Sequence, residues 1–96
     1  MSSPSSPQIC VRVEYRGRVQ GVGFRWTVAR IARNIAVTGT VRNCTDGSVE
    51  LIAQGDRPVV MTLLSNITTA MQGYIEHSDV EELTIQEDLA GFRIIR

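Results

Sequence analysis

Ile9-Cys10-Val11-Arg12-Val13-Glu14-Tyr15-Arg16 runs directly into Gly17-Arg18-Val19-Gln20-Gly21-Val22-Gly23-Phe24-Arg25. The first run alternates apolar and polar residues, so Ile9, Val11, Val13 and Tyr15 share one face while Arg12, Glu14 and Arg16 share the other. A period of two predicts a strand with one buried and one wet face. The second run places three glycines in seven residues, which predicts a loop of unusual backbone conformation. After Phe24 the period changes again. Val28, Ile31, Ala32 and Ile35 fall at i, i+3, i+4 and i+7, the stripe of an amphipathic helix over roughly residues 23–35. A strand feeding through a glycine loop into a helix is the opening of a βαβ unit.

Working outward, residues 37–43 and 47–54 are two β-branched runs around Cys44-Thr45-Asp46-Gly47, and Asp-Gly between such runs predicts a hairpin. Gly55-Asp56-Arg57-Pro58 then turns the chain, with Asp56 the expected N-cap. Val60, Leu63, Leu64, Ile67 and Met71 repeat at helical spacing, and Gly73 is expected to end that second helix. Residues 79–86 and 92–95 read as further strands. The order predicts an α+β, ferredoxin-like (split βαβ) sandwich, an antiparallel sheet with two helices on one face. One domain over residues 9–96 follows a flexible tail at residues 1–8.

Composition narrows the function. The chain has 96 residues and no net charge, which does not support generic polyanion binding. The charge is uneven, however: residues 1–42 carry seven of the ten arginines and one acid, and residues 43–96 carry nine acids. No apolar run reaches the ~18–20 residues that cross a bilayer. Residues 1–7 lack the basic and apolar regions of a secretory leader. The expectation is a cytoplasmic protein, a monomer, with no membrane partner. Two cysteines are too few for a disulfide framework or a zinc site. The predicted topology also puts Cys10 and Cys44 at opposite ends of the sheet, beyond the ~7 Å reach of a disulfide, so both are expected to be reduced thiols.

The segment richest in chemistry is Gly17 through Arg25. A glycine loop opening a helix presents backbone N–H groups at the positive end of the helix dipole, a nest suited to phosphate or carboxylate. Arg25 stands in the first turn, where its guanidinium offers a bidentate fork to anionic oxygens. The bland alternative is a glycine-rich connection with a solvated arginine. Two nucleotide motifs are excluded: position 26 is Trp rather than a third glycine, and no Gly-Lys-Ser/Thr follows because the chain has no lysine.

Gly17-Arg18-Val19-Gln20-Gly21-Val22-Gly23-Phe24-Arg25 resembles the first signature of the acylphosphatase family. Gly39-Thr40-Val41-Arg42-Asn43-Cys44-Thr45-Asp46-Gly47-Ser48-Val49, with Gly55, resembles the second, departing only at Thr40, where an aromatic is usual. Gly91-Phe92-Arg93-Ile94 resembles the family's closing strand. The resemblance spans about residues 9–96. It implies the same sandwich fold and hydrolysis of acyl phosphates to carboxylate and phosphate. It also implies that Arg25 binds the phosphate, that the loop amides of Val19, Gln20, Gly21, Val22, Gly23 and Phe24 assist, and that Asn43 orients the attacking water.

An acyl phosphate carries a good leaving group, so positioning and charge stabilisation can supply most of the catalysis. In-line water attack without metal or other cofactor is the expectation, with a small acyl phosphate as partner. His77 reads as a solvated surface residue. Glu81-Glu82 and Glu87-Asp88 fit a solvated strand and turn better than a metal cluster. Phe24 and Trp26 are expected to pack at the helix start, Phe24 also being a candidate lining for an acyl pocket. Arg42 is expected on the open face. RNA binding is disfavoured, because the exposed positions of the first and third strands offer no aromatic to stack on a base. The competing functions are a non-catalytic module that binds small anions for regulation, and the same chemistry with carbamoyl phosphate as substrate.

Overall fold

The computed structural model describes residues 7–96; the greater part of the expected tail lies outside that range. The elements are β1 (Gln8–Gly17), α1 (Phe24–Ala32), β2 (Thr38–Asn43), β3 (Val49–Asp56), α2 (Arg57–Ala70), β4 (Ile75–Leu83) and β5 (Phe92–Ile94). The sheet order is β4-β1-β3-β2-β5. β1 and β2 both pair antiparallel with β3, so they run parallel to one another with α1 as the crossover. This is the ferredoxin-like sandwich that the periodicities predict.

The core follows from the alternation in β1. Ile9, Val11, Val13 and Tyr15 are buried together with Val41 of β2 and Val49, Leu51 and Ala53 of β3. Phe24, Val28, Ala29 and Ala32 of α1 and Val60, Leu63 and Ile67 of α2 cover them. Ile31 and Ile35, expected on the buried stripe, are only partly buried. The stripe is centred on Phe24, Val28 and Ala32 instead. The Tyr15 and Phe24 rings meet in a tilted pair 5.1 Å apart. A fully buried aromatic of this size contributes roughly 1.5–3 kcal/mol relative to an exposed one.

Four expectations need correction. The sheet is mixed, because β5 runs parallel to β2. β4 ends beside Cys10, which lies in register with Gln54 and so with Thr38, the start of β2. Residues 84–91 then cross the sheet at that same end, so β5 starts where β2 starts and must run with it. β4 itself begins at Ile75, four residues before the expected strand. It is an edge strand with nearly every side chain exposed, so it has little apolar alternation to read and is held by its ladder to β1.

α1 stops at Ala32, and residues 33–36 form turns. α2 ends at Ala70, three residues before Gly73; Asp56 is its N-cap residue, as expected, but makes no side-chain capping hydrogen bond. The Asp56 carboxylate accepts a hydrogen bond from Gln8 Nε2 at 3.0 Å instead.

Residues 84–91 are fastened to the open face by one side chain. Gln54 Nε2 donates to the Gln86 carbonyl and Gln54 Oε1 accepts from the Gln86 N–H, both at 2.8 Å. Cys10, beside Gln54, is fully buried, and burial pushes its thiol pKa up. Cys44 lies past the far end of β2, about six residues along the strands, or ~20 Å. Both cysteines are free.

Candidate active site

α1 begins directly on the glycine loop. Gly21 and Gly23 adopt left-handed φ of 78° and 77°, and Gly23 is the N-cap residue. A Cβ at either would meet no neighbour within 4 Å, so the requirement here is the dihedral and not space. Among the described residues, no backbone acceptor takes the N–H groups of residues 19–24. That leaves them available at the positive end of α1.

Val19, Gly21, Gly23, Phe24, Arg25 and Trp26 line one cavity of about 200 Å³ together with Asn43 and Ile94. Arg25 comes from the first turn of α1, Asn43 from the end of β2, and Ile94 from β5. Ile94 sits in register with Val41, two residues before Asn43 on the same face. The sandwich thus joins the two sequence motifs at one end of the sheet. Gln20 and Val22 are not in the cavity wall. Val22 is exposed, and the Gln20 side chain turns toward the β2–β3 hairpin.

Two features distinguish the arginine and the asparagine. Arg12, Arg16, Arg42 and Arg57 are all in ion pairs, and Arg33 donates to the Phe92 carbonyl. The Arg25 guanidinium, like those of Arg18, Arg30, Arg93 and Arg96, has no hydrogen-bond or ion-pair partner among the described residues, and of these five it is the one that lines the cavity. Asn43 Oδ1 is buried and accepts no hydrogen bond from any described residue. A buried carbonyl oxygen left without a donor costs about 1–3 kcal/mol, so it calls for a donor such as a water.

Gln20 is the residue that sequence reasoning undervalued, counting only its backbone. Its Nε2 donates to the carbonyls of Cys44 and Ser48, each at 2.8 Å. The loop is thereby tied to the hairpin that follows Asn43. The hairpin is braced in turn: Asp46 accepts from the Ser48 hydroxyl at 2.6 Å and from its N–H at 3.0 Å. Those Ser48 bonds, helped by Arg16, lower the Asp46 carboxyl to about 2.

The other candidates lie elsewhere. His77 is exposed on β4, 3.3 Å from Asp79. Arg42 is on the open face, where Glu50 bridges it at 2.8 Å and Arg12 at 2.7 Å. Burial would raise the Glu50 carboxyl, but the bonds from Arg42 and Arg12 together bring it below the ordinary value. Thr40 lies on that open face too, beside Arg93 and away from Asn43. Trp26 does not pack at the helix start as expected; it is 63% exposed at the cavity, with the Arg30 guanidinium 5.1 Å from its ring. Among the described residues, no three His, Cys, Asp or Glu side chains gather as metal ligands would.

The acylphosphatase family model matches residues 11–94, which takes in both motifs and every element that lines the cavity. The chain belongs to the acylphosphatase family. As an acylphosphatase it is an enzyme that hydrolyses acyl phosphates. It is 36% identical to the acylphosphatase of Lactobacillus gasseri, over 88% of this chain and 96% of that one. The acylphosphatase structure from Coxiella burnetii superposes with a TM-score of 0.80 at 35% identity, covering 92% and 93% of the two chains. The Bacillus subtilis acylphosphatase gives 0.84 at 29% identity, covering 92% and 99%.

Proposed function

We propose that this acylphosphatase holds the phosphoryl group of its substrate between Arg25 and the amides of residues 19–24, while Asn43 positions the attacking water. The observation that carries the reading is the pairing within one cavity of an unengaged guanidinium and a buried, unsatisfied amide oxygen. The arginine fork and loop N–H groups stabilise the phosphoryl oxygens as charge redistributes. Water donates one hydrogen to Asn43 Oδ1 and attacks phosphorus in line with the departing carboxylate. The leaving group is stable as an anion, so the protein supplies geometry and charge rather than a covalent intermediate.

An acyl phosphate already carries a good leaving group, so the reading needs no Lewis acid beyond Arg25 and the loop N–H groups. The open face, with Arg12, Glu50 and Arg42 in ion pairs and no aromatic on β1 or β3 beside them, supports a small substrate over a nucleic acid. The same polar face supports a monomer. No helix among the described residues is long and apolar enough to cross a membrane.

Phosphate release from benzoyl phosphate in EDTA tests the assignment. Wild-type turnover is expected to be insensitive to the chelator. Arg25→Ala and Asn43→Ala are each expected to lose on the order of 100-fold or more in kcat/KM. Activity surviving in folded Arg25→Ala rules out this placement of the phosphoryl group.

A further inference from the structure

Trp26 is the only tryptophan of the chain, and more than half of it is exposed. Ile94 is 39% exposed on β5. Scattered exposed hydrophobes are ordinary on a protein surface, but these two flank the cavity that holds Arg25 and Asn43. Met61, Tyr74, Val80 and Ile85, also exposed, are not part of it.

We propose that Trp26 and Ile94 form an acyl subsite that selects aromatic and other apolar acyl phosphates. The inference rests on the phosphoryl group lying against Arg25. Pockets that enclose a drug-sized ligand run from ~300 Å³ upward, and this cavity is about 200 Å³. With the phosphoryl group against Arg25, an acyl substituent that extends to the rim meets Trp26 and Ile94, the two exposed apolar side chains in the cavity wall.

The indole is also held ready. Arg30, one helical turn along, stacks on one face of the ring and restricts its rotamers, while the ring's exposure leaves surface for a ligand. A pre-positioned aromatic side chain loses little conformational entropy on binding. The first turn of α1 carries no acid, so nothing there draws a cationic substituent. A flat, neutral acyl group is the best match for an indole and a branched aliphatic.

The test compares kcat/KM for benzoyl phosphate and acetyl phosphate. Trp26→Ala is expected to lower the benzoyl-to-acetyl ratio about three- to tenfold, the range of an aromatic pair contact. Trp26→Phe should keep most of the ratio, and Ile94→Ser should lower it in the same direction. Because Trp26 is the sole tryptophan, its fluorescence should respond to phenylphosphonate far more than to methylphosphonate. Equal losses for both substrates in Trp26→Ala, an unchanged ratio, or equal responses to both phosphonates would overturn the subsite. Arg25→Ala, assayed alongside, separates the two levels. If that variant hydrolyses both substrates at the wild-type rate, the phosphoryl placement itself is wrong, whatever the Trp26 ratio shows.

Discussion

Gln20 uses both hydrogens of one amide nitrogen on two carbonyls of the next hairpin. The Ser48 carbonyl accepts a second bond as well, from the Cys44 N–H at 2.8 Å, so loop and hairpin share one acceptor. A side chain that touches no substrate can thus set where the loop amides lie relative to Asn43. Gln20→Ala is expected to keep the fold but lower kcat about 10- to 100-fold, because small misplacements of reacting groups are expensive. The lost hydrogen bonds should also reduce stability by about 1–2 kcal/mol. Steady-state kinetics and urea denaturation on one preparation would separate these effects; an unchanged kcat would make Gln20 a structural residue only. Gly39 shows a different constraint at the same scale. A Cβ there would overlap the carbonyl oxygen of Ile52 on the neighbouring strand, which gives that motif position a packing reason.

At the scale of elements, the β2–β3 hairpin is braced by a carboxylate that responds to acid. Asp46 falls from its ordinary 3.8 to about 2 through its bonds to Ser48. The unfolded chain therefore takes up this proton before the folded one does. Its contribution to stability is present above the ordinary value and is lost as pH falls toward about 2. Asp46→Asn should be less stable than wild type at neutral pH, and the gap should narrow in acid. Urea midpoints measured at neutral pH and near pH ~2.5 check this; a gap that is constant with pH would exclude the charge as its source. Glu50, also lowered, remains in both proteins and so drops out of the comparison.

The whole molecule brings together parts that are distant along the chain. Residues 84–91 carry the chain from one sheet edge to the other and let β5 deliver Ile94 to the cavity. Gln54 fastens this crossing beside the buried Cys10. A thiol reagent should therefore modify Cys44 quickly and Cys10 only on opening or unfolding, with burial keeping the Cys10 thiolate scarce. Gln54→Ala should speed the second, slow phase of thiol labelling and leave the first unchanged. Identical slow phases in the two proteins would mean that the crossing does not guard Cys10.

Local patterning reached far into this protein. Alternation in β1, the glycine loop and the helical stripe were enough for the sandwich, since each element buries one face and few topologies satisfy all of them. Arg25 was legible locally, as a guanidinium in the first turn after a glycine loop, whereas Asn43 was singled out only by the resemblance of residues 39–49 to the family's second signature. The edge strand β4 was misplaced because its backbone ladder, rather than its side chains, holds it. The parallel direction of β5 depended on where residues 84–91 cross, which no local pattern encodes. The exposed position of Trp26 and the clamp from Gln20 were hidden as well, because each is a relation between segments that only packing brings together. The sequence by itself determined the elements and the chemical groups. Tertiary structure decided which of those groups face one another across the cavity, because burial and hydrogen bonding between distant segments choose among rotamers that the local chain leaves equally open.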